Sequence, residues 1–362
     1  MPEQSFTDPS VAVRKGEELD VEHLAVYLRQ HLTGSQGSLT VEQFPSGYSN
    51  LTYLLRLNDS PPRELVLRRP PFGANIKGGH DMAREYRILN VLLSTYRKVP
   101  KPLLYCEDNS ILGAPFYVME RVKGVILRNK FPRGFEIAPD LMQKICFALI
   151  EALVELHALD ITADGLSELG KPEGYTARQV GGWTKRYQNA LTDDCPDFEP
   201  ITRWLAANIP ARSDAALIHN DFRYDNAILA PEDLTRIVAI LDWEMATLGD
   251  PLTDVGTSLA YWAEPNDPDI LRQFGLTTHP GNLDRQQFLD RYAEYSRRDV
   301  SGFLFYYVYG VFKNVVIALQ IYARYCQGLT RDPRFAALIE VIRAYNQIAQ
   351  RALEYQRISH LF

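Results

Sequence analysis

The residue types and spacings best suited to chemistry lie in His219-Asn220-Asp221-Phe222-Arg223-Tyr224-Asp225-Asn226 and in Ile240-Leu241-Asp242-Trp243-Glu244. Asp221 and Asn226 stand five residues apart, and Asp242 follows sixteen residues after Asn226. One loop can therefore present a carboxylate to an attacking hydroxyl and an amide oxygen to a metal. Phosphoryl transfer asks a protein for little covalent help beyond such a carboxylate and oxygen ligands that hold Mg²⁺ on the phosphates. A hard, six-coordinate Mg²⁺ takes a few carboxylate or amide oxygens plus phosphates and water. Asn226 and Asp242 fit that role. His219-x-Asp221 could also begin a metal-hydrolase site, but no second His or Cys cluster supplies the closed ligand set of such sites. Walker-type chemistry is disfavoured because G-x-x-x-x-G-K-[ST] is absent.

These residues need a frame. Two apolar runs, 227–230 and 236–241, flank Pro231-Glu232-Asp233 and read as a hairpin that returns Asp242 to the side of Asn226. Upstream, 39–44, 51–57 and 64–69 read as strands, the first two joined through Pro45-Ser46-Gly47-Tyr48-Ser49-Asn50. Side chains alternate along a strand, so Arg68 shares the face of Val66 and opposes Leu65 and Leu67. A helix over 80–94 puts Met82, Glu85, Leu89 and Leu92 on one broad face, with Glu85 in reach of the Arg68 head. Two further strands, 103–107 and 115–120, complete a five-stranded antiparallel lobe. Ahead of them Asp20 can cap a helix carrying Leu24 and Leu28 at helical spacing.

The pattern H-x-D-x-x-x-x-N followed by hydrophobic-D resembles the catalytic core of the protein kinase-like fold. The wording HNDFRYDNAIL and ILDWEMATLGDPLTDVG is similar to the aminoglycoside phosphotransferase and choline kinase branch, in particular to the kinase domains associated with acyl-CoA dehydrogenases. The resemblance covers roughly residues 38–345. It implies a two-lobe α+β fold: a small antiparallel-sheet lobe (1–119), a hinge (120–124) and a larger helical lobe (125–362). It also implies ATP and Mg²⁺ as cofactors and a small-molecule hydroxyl as acceptor.

By the same resemblance Asp221 accepts the substrate proton, Arg223 neutralises developing charge, and Asn226 and Asp242 bind the metal. Ser49 and its turn cover the phosphates, although the glycines of a protein-kinase phosphate loop are reduced here to Gly47. Arg68 stands where the phosphate-pairing lysine is expected, with Glu85 as its partner. Arg is bulkier and always charged, but its planar fork suits phosphate oxygens, and Arg69 competes for the role. The backbone of about Glu120 to Val122 is the adenine hinge. Asp250 and Asp254 brace the catalytic loop, as does His219, and neither acid touches substrate. His157, near the end of a helix over 139–159, reads as a hydrogen-bonded core residue.

The segment 162–213 is the least regular. It holds seven acids and six bases, less acidic than a site for polycationic aminoglycosides would be. Arg178, Lys185 and Arg186 around Gly181-Gly182-Trp183 could meet the phosphates of a coenzyme A ester or form a solvated helix face. The preferred acceptor is therefore a hydroxyacyl-CoA, the alternatives being an aminoglycoside or choline-like kinase and a catalytically inactive nucleotide-binding scaffold.

At 362 residues the chain exceeds one hydrophobic core, and a net charge of −6 shows no footprint for nucleic acid. Cys106, Cys146, Cys195 and Cys326 are scattered, as reduced thiols of a cytoplasmic protein would be. The polar first twenty residues suggest no signal peptide. The longest apolar stretch, 300–312, reads as too short to span a bilayer.

Overall fold

Two neighbouring strands buried over most of their length, at residues 51–57 and 63–69, form the centre of the first unit. In the computed structural model the described residues are 8–45, 50–72, 80–131, 136–163, 165–211, 213–330 and 332–362. In chain order the elements are α1 (Val21–His31), β1 (Leu39–Gln43), β2 (Leu51–Leu57), β3 (Arg63–Arg69), α2 (Met82–Thr95), β4 (Pro102–Cys106), α3 (Asn109–Leu112), β5 (Phe116–Glu120) and β6 (Val125–Ile126). Then follow α4 (Pro139–His157), α5 (Tyr175–Ala190), α6 (Glu199–Ala207), β7 (Ala216–Ile218), β8 (Ala227–Ala230), β9 (Asp233–Ile240) and β10 (Thr247–Gly249). The chain closes with α7 (Pro251–Ala260), α8 (Asp269–Arg272), α9 (Arg285–Ser296), α10 (Phe303–Cys326) and α11 (Leu338–Tyr355). Two compact units result: Met1–Ile126 with Ala227–Glu244, and Leu127–Asn226 with Met245–Phe362.

In the first unit five strands form an antiparallel sheet in the order β1-β2-β3-β5-β4. One face carries Tyr53, Leu55, Leu65, Leu67, Phe116 and Val118, covered by Leu24 and Leu28 of α1. Asp20 caps α1 by accepting from the His23 N–H. Helix α2, capped by Asp81, presents Met82, Glu85, Ile88, Leu89 and Leu92 as its buried stripe. A carboxylate on an apolar stripe needs a buried partner, and β3 supplies it. The expected hairpin is present as β8 and β9, with Ala227 opposite Ile240. Asn226 thus precedes the paired Ala227 by one residue, and Asp242 follows Ile240 by two. Because β6 pairs with β8, this hairpin belongs to the first unit, whereas the sequence reading had assigned it to the second lobe.

In the second unit β7 pairs antiparallel with β10, so the chain enters the 219–226 loop from one strand and leaves for α7 from the other. Helices α7 and α10 cross at Gly256 and Gly310. A Cβ on Gly256 would run into the Tyr306 carbonyl, and one on Gly310 into the Gly256 carbonyl. Only glycine permits that backbone approach.

Two expectations change. The segment 162–213 is more regular than read, since it holds α5 and α6; Gly181 and Gly182 lie inside α5 with open space around the first. The apolar run beginning near residue 300 continues as the 24-residue α10, among the described residues the one helix long and apolar enough to cross a membrane, with 78% of its most apolar window buried. Lys313 and Asn314 interrupt the run in sequence but not the helix.

Candidate active site

In the first unit β3 aims Arg68 and Arg69 at opposite sides of the sheet, as pleat alternation requires. Arg68, 8% exposed, lies on the α2 side. Its Nη1 is 3.5 Å from Glu85 Oε1, its Nη2 donates to Asp242 Oδ1 at 2.9 Å, and Glu244 Oε2 stands at 3.9 Å. Arg69 turns the other way, donating from Nε to the Pro70 carbonyl and from Nη1 to the Leu112 carbonyl, with its guanidinium stacked on Phe72. The Arg68–Glu85 pair expected from sequence is therefore present, and Arg69 takes no share in it.

Burial opposes the charge of Arg68, but Glu85, Tyr117, Asp242 and Glu244 together hold its pKa above the ordinary value. Burial pushes the Glu85 carboxyl up, an effect that Arg68 offsets in part. Asp242 adopts a left-handed backbone, φ 67°, a conformation sparsely used by non-glycine residues and concentrated at functional sites. Glu244 accepts from Asn50 Nδ2 at 2.6 Å and, through its carbonyl, from Arg84. Asn50 Oδ1 meets His80 Nδ1 at 2.8 Å. A hollow in this unit is lined by Arg68, Glu85, Leu89, Tyr117, Met119 and Asp242.

In the second unit the loop after β7 is held from beneath. Asp254 of α7 accepts from the backbone N–H of His219 at 2.6 Å and of Asn220 at 2.8 Å, and its Oδ2 lies 3.2 Å from His157 Nε2. Burial alone would raise the Asp254 pKa, but hydrogen bonds from His157 and the His219 backbone bring it below the usual carboxylate range. Asp250 caps α7 and accepts from the Tyr306 hydroxyl. His219 accepts from the Asp221 N–H at 3.2 Å, and His157 meets the Tyr292 hydroxyl at 2.8 Å. Both histidines thus brace the fold, in agreement with the sequence reading.

Asn226 Nδ2 donates to Asp221 Oδ2 and to the Asp221 carbonyl, each at 2.8 Å. That bond pins the carboxylate and turns the amide oxygen of Asn226 away from it. Arg223 Nε lies 3.3 Å from Asp221 Oδ1, its Nη1 lies 3.7 Å from Asp225 Oδ2, and its guanidinium sits over Tyr261. Burial raises the Asp225 pKa, with Arg223 and Arg128 opposing. A second hollow is lined by Arg223, Asp225, Ser258, Tyr261, Trp262 and Phe274.

Ser49 lies outside the described residues, as does Gly47. Glu120 ends β5, gives its N–H to the Lys101 carbonyl at 2.9 Å and pairs its side chain with Lys101; a hinge role for it rests on its carbonyl, and Val122 follows two residues on. Arg178, Lys185 and Arg186 lie on α5; Arg178 bonds the carbonyls of Lys171 and Glu173, and Arg186 stacks on Trp183. The sequence reading gave no role to Glu244, Asn220 or Lys313, and took Asn50 only as a donor in the turn over the phosphates. Glu244 could have been found from its place two residues after Asp242; Lys313 carried no such signal. Among the described residues no group of three or more His, Cys, Asp or Glu could hold a metal. The Asn226 amide oxygen, in the second unit, and the Asp242 carboxylate, in the first, are each hard oxygen donors of the kind Mg²⁺ takes.

Acyl-CoA dehydrogenase family member 11 of Rattus norvegicus is 35% identical over 336 residues, which is 90% of this chain and 42% of that protein. The chain thus spans less than half the length of this relative. A solved structure from Ralstonia eutropha JMP134, described as an aminoglycoside phosphotransferase, superposes with a TM-score of 0.78 at 29% identity, covering 93% of this chain and 99% of that one. The GDP and kanamycin complex of APH(2″)-IIIa shares the fold, with a TM-score of 0.61 at 16% identity over 90% of this chain and 98% of that one. The model of the phosphotransferase enzyme family matches residues 40–289, more than half of the chain, and the chain belongs to that family.

Proposed function

We propose that this protein is an ATP-dependent kinase of a small-molecule hydroxyl. The observation that carries the reading is the Asp221 carboxylate, fixed by the Asn226 amide on a loop whose backbone is anchored by Asp254. Such a carboxylate can orient a hydroxyl and accept its proton as the oxygen attacks phosphorus. Arg223, beside Asp221, neutralises charge that develops on the transferred group. In the first unit Arg68, positioned by Glu85, takes the nucleotide phosphates. Asn226 and Asp242 would hold Mg²⁺, which when bound neutralises the phosphate charge. Ser49, the Glu120 carbonyl and the Val122 backbone complete nucleotide binding in this reading, and residues 120–124 serve as the hinge between lobes 1–119 and 125–362.

The acceptor we favour is a hydroxylated acyl-CoA. The lining of the hollow beside Arg223 supports it: four aromatic side chains (Tyr224, Tyr261, Trp262, Phe274), one arginine and one carboxylate suit an acyl or uncharged body better than a polycation. The four cysteines are free, which agrees with a cytoplasmic setting. ADP release measured against a panel of hydroxyacyl-CoA esters, choline and kanamycin-type aminoglycosides tests the reading. Stimulation by the esters supports it; efficient phosphorylation of kanamycin with inert esters overturns the acceptor. Nucleotide binding without turnover on any acceptor favours the inactive scaffold.

A further inference from the structure

Lys313 sits on α10 one turn beyond Gly310, where the close crossing with α7 carries it beneath the catalytic loop. It is 1% exposed. Its Nζ donates to the Asn220 carbonyl at 2.9 Å and to Asn220 Oδ1 at 3.1 Å. Asn220 is in the left-handed region, φ 68°. Its N–H is held by Asp254, its Nδ2 donates to the Met245 carbonyl at 3.1 Å and meets the Tyr175 hydroxyl at 3.3 Å. Every polar group of this residue is thus engaged, and the next residue is Asp221.

Burying an ammonium is unfavourable, and a well-packed apolar side chain of the same volume is often neutral or stabilising in such a place. Packing alone therefore gives no reason for a cation here. Burial lowers the Lys313 pKa to about 8, opposed by the charges of Asp254 from α7 and Asp221 from the loop. Tyr175 from α5 shares Asn220 with it.

We propose that Lys313 is a positioning residue for phosphoryl transfer, which fixes the Asn220–Asp221 peptide and so aims the Asp221 carboxylate at the acceptor hydroxyl. The assignment rests on the kinase reading above. It also holds the left-handed turn at Asn220, because the carbonyl that Lys313 binds is the one a relaxed backbone would swing away. Lys313 itself touches neither nucleotide nor acceptor.

Two full-length variants test this, Lys313→Met, which keeps the length and removes the charge, and Asn220→Gly, which keeps the left-handed backbone and the carbonyl. ADP-release kinetics with the best acceptor should show kcat lowered about tenfold to a hundredfold in Lys313→Met, the range of a lost charge-assisted hydrogen bond, with KM for ATP within twofold. Asn220→Gly should fall less. Hydrogen exchange over 216–226 should speed up in Lys313→Met. A kcat within twofold of the parent, or a loss expressed equally in KM for ATP, overturns the proposal. If Lys313→Met does not fold, Lys313→Gln is judged by the same criteria. A parent protein that releases no ADP overturns the kinase reading together with this proposal, whereas an active parent with an unaffected variant overturns this proposal alone.

Discussion

Arg68 Nη2 donates to Asp242 Oδ1 at 2.9 Å although 174 residues of chain separate them. The guanidinium also reaches Glu85, so one buried cation ties β3, α2 and the loop after β9 together. Removing it leaves Glu85 and Asp242 without their counter-charge and, on the function proposed above, the nucleotide phosphates without their fork.

Arg68→Ala should therefore raise KM for ATP and slow turnover, with kcat/KM down by about tenfold to a hundredfold, the range of one charged hydrogen bond. Arg69→Ala should leave KM for ATP near the parent value, because Arg69 bonds the Leu112 and Pro70 carbonyls on the other face. Steady-state kinetics on both variants reads the contrast, and the reverse ranking would move the phosphate role to Arg69.

Asp221→Asn keeps the shape of the loop but removes the proton acceptor. Turnover should fall by ~10²–10⁴, while binding of ATP with Mg²⁺ persists. Asp242→Asn weakens a charged oxygen donor, so ATP affinity should lose its dependence on Mg²⁺. Calorimetric titration of ATP with and without Mg²⁺, beside ADP-release kinetics, separates the two roles; near-parent turnover in Asp221→Asn would mean a misassigned loop.

Gly310→Ala places a methyl group against the Gly256 carbonyl. Relief requires α7 and α10 to separate, at roughly 1–3 kcal/mol as for other overpacked cores. Chemical denaturation should show that loss of stability. Turnover should fall as well, since the same crossing seats Lys313. An unchanged midpoint with full activity would show that the crossing tolerates a side chain.

His157 is fully buried between Asp254 and Tyr292, and burial lowers its pKa below the usual value of 6.5, with Asp254 opposing. In the unfolded chain it protonates near 6.5; in the folded chain it resists. The unfolded state thus binds the extra proton between the two values, so stability rises with pH through that window and is lost as pH falls below about 6.5. His157→Gln, which does not titrate, should narrow the difference between melting temperatures at pH 7.5 and 5.5. Thermal melts of both proteins check this, and an equal pH sensitivity would assign the acid loss to other groups.

Much of this was legible in the sequence because local patterns carry it. Apolar runs bounded by turn residues located β2 and β3, and the alternation of side chains along a strand set Arg68 apart from Arg69 in principle, although it could not say which face α2 would cover. The spacing of Asp221 and Asn226 encodes their hydrogen bond, since five residues of loop bring the amide back to the carboxylate. The hairpin was readable from two apolar runs around a turn. Helix α5 was readable only as one alternative, because Gly181 and Gly182 carry weak helical propensity that burial of Val180, Trp183 and Tyr187 overrides.

What the sequence by itself determined was the family, written in short motifs whose residues are neighbours along the chain. The tertiary structure alone decided the supports of that chemistry. Lys313 meets Asn220 across 93 residues because two glycines let α10 approach α7, and the Arg68–Asp242 bond exists because the sheet, the helix and the hairpin fold into one unit. Such contacts depend on how elements pack, and a lysine within an aromatic helix carries in its own neighbourhood no record of the loop that it will hold.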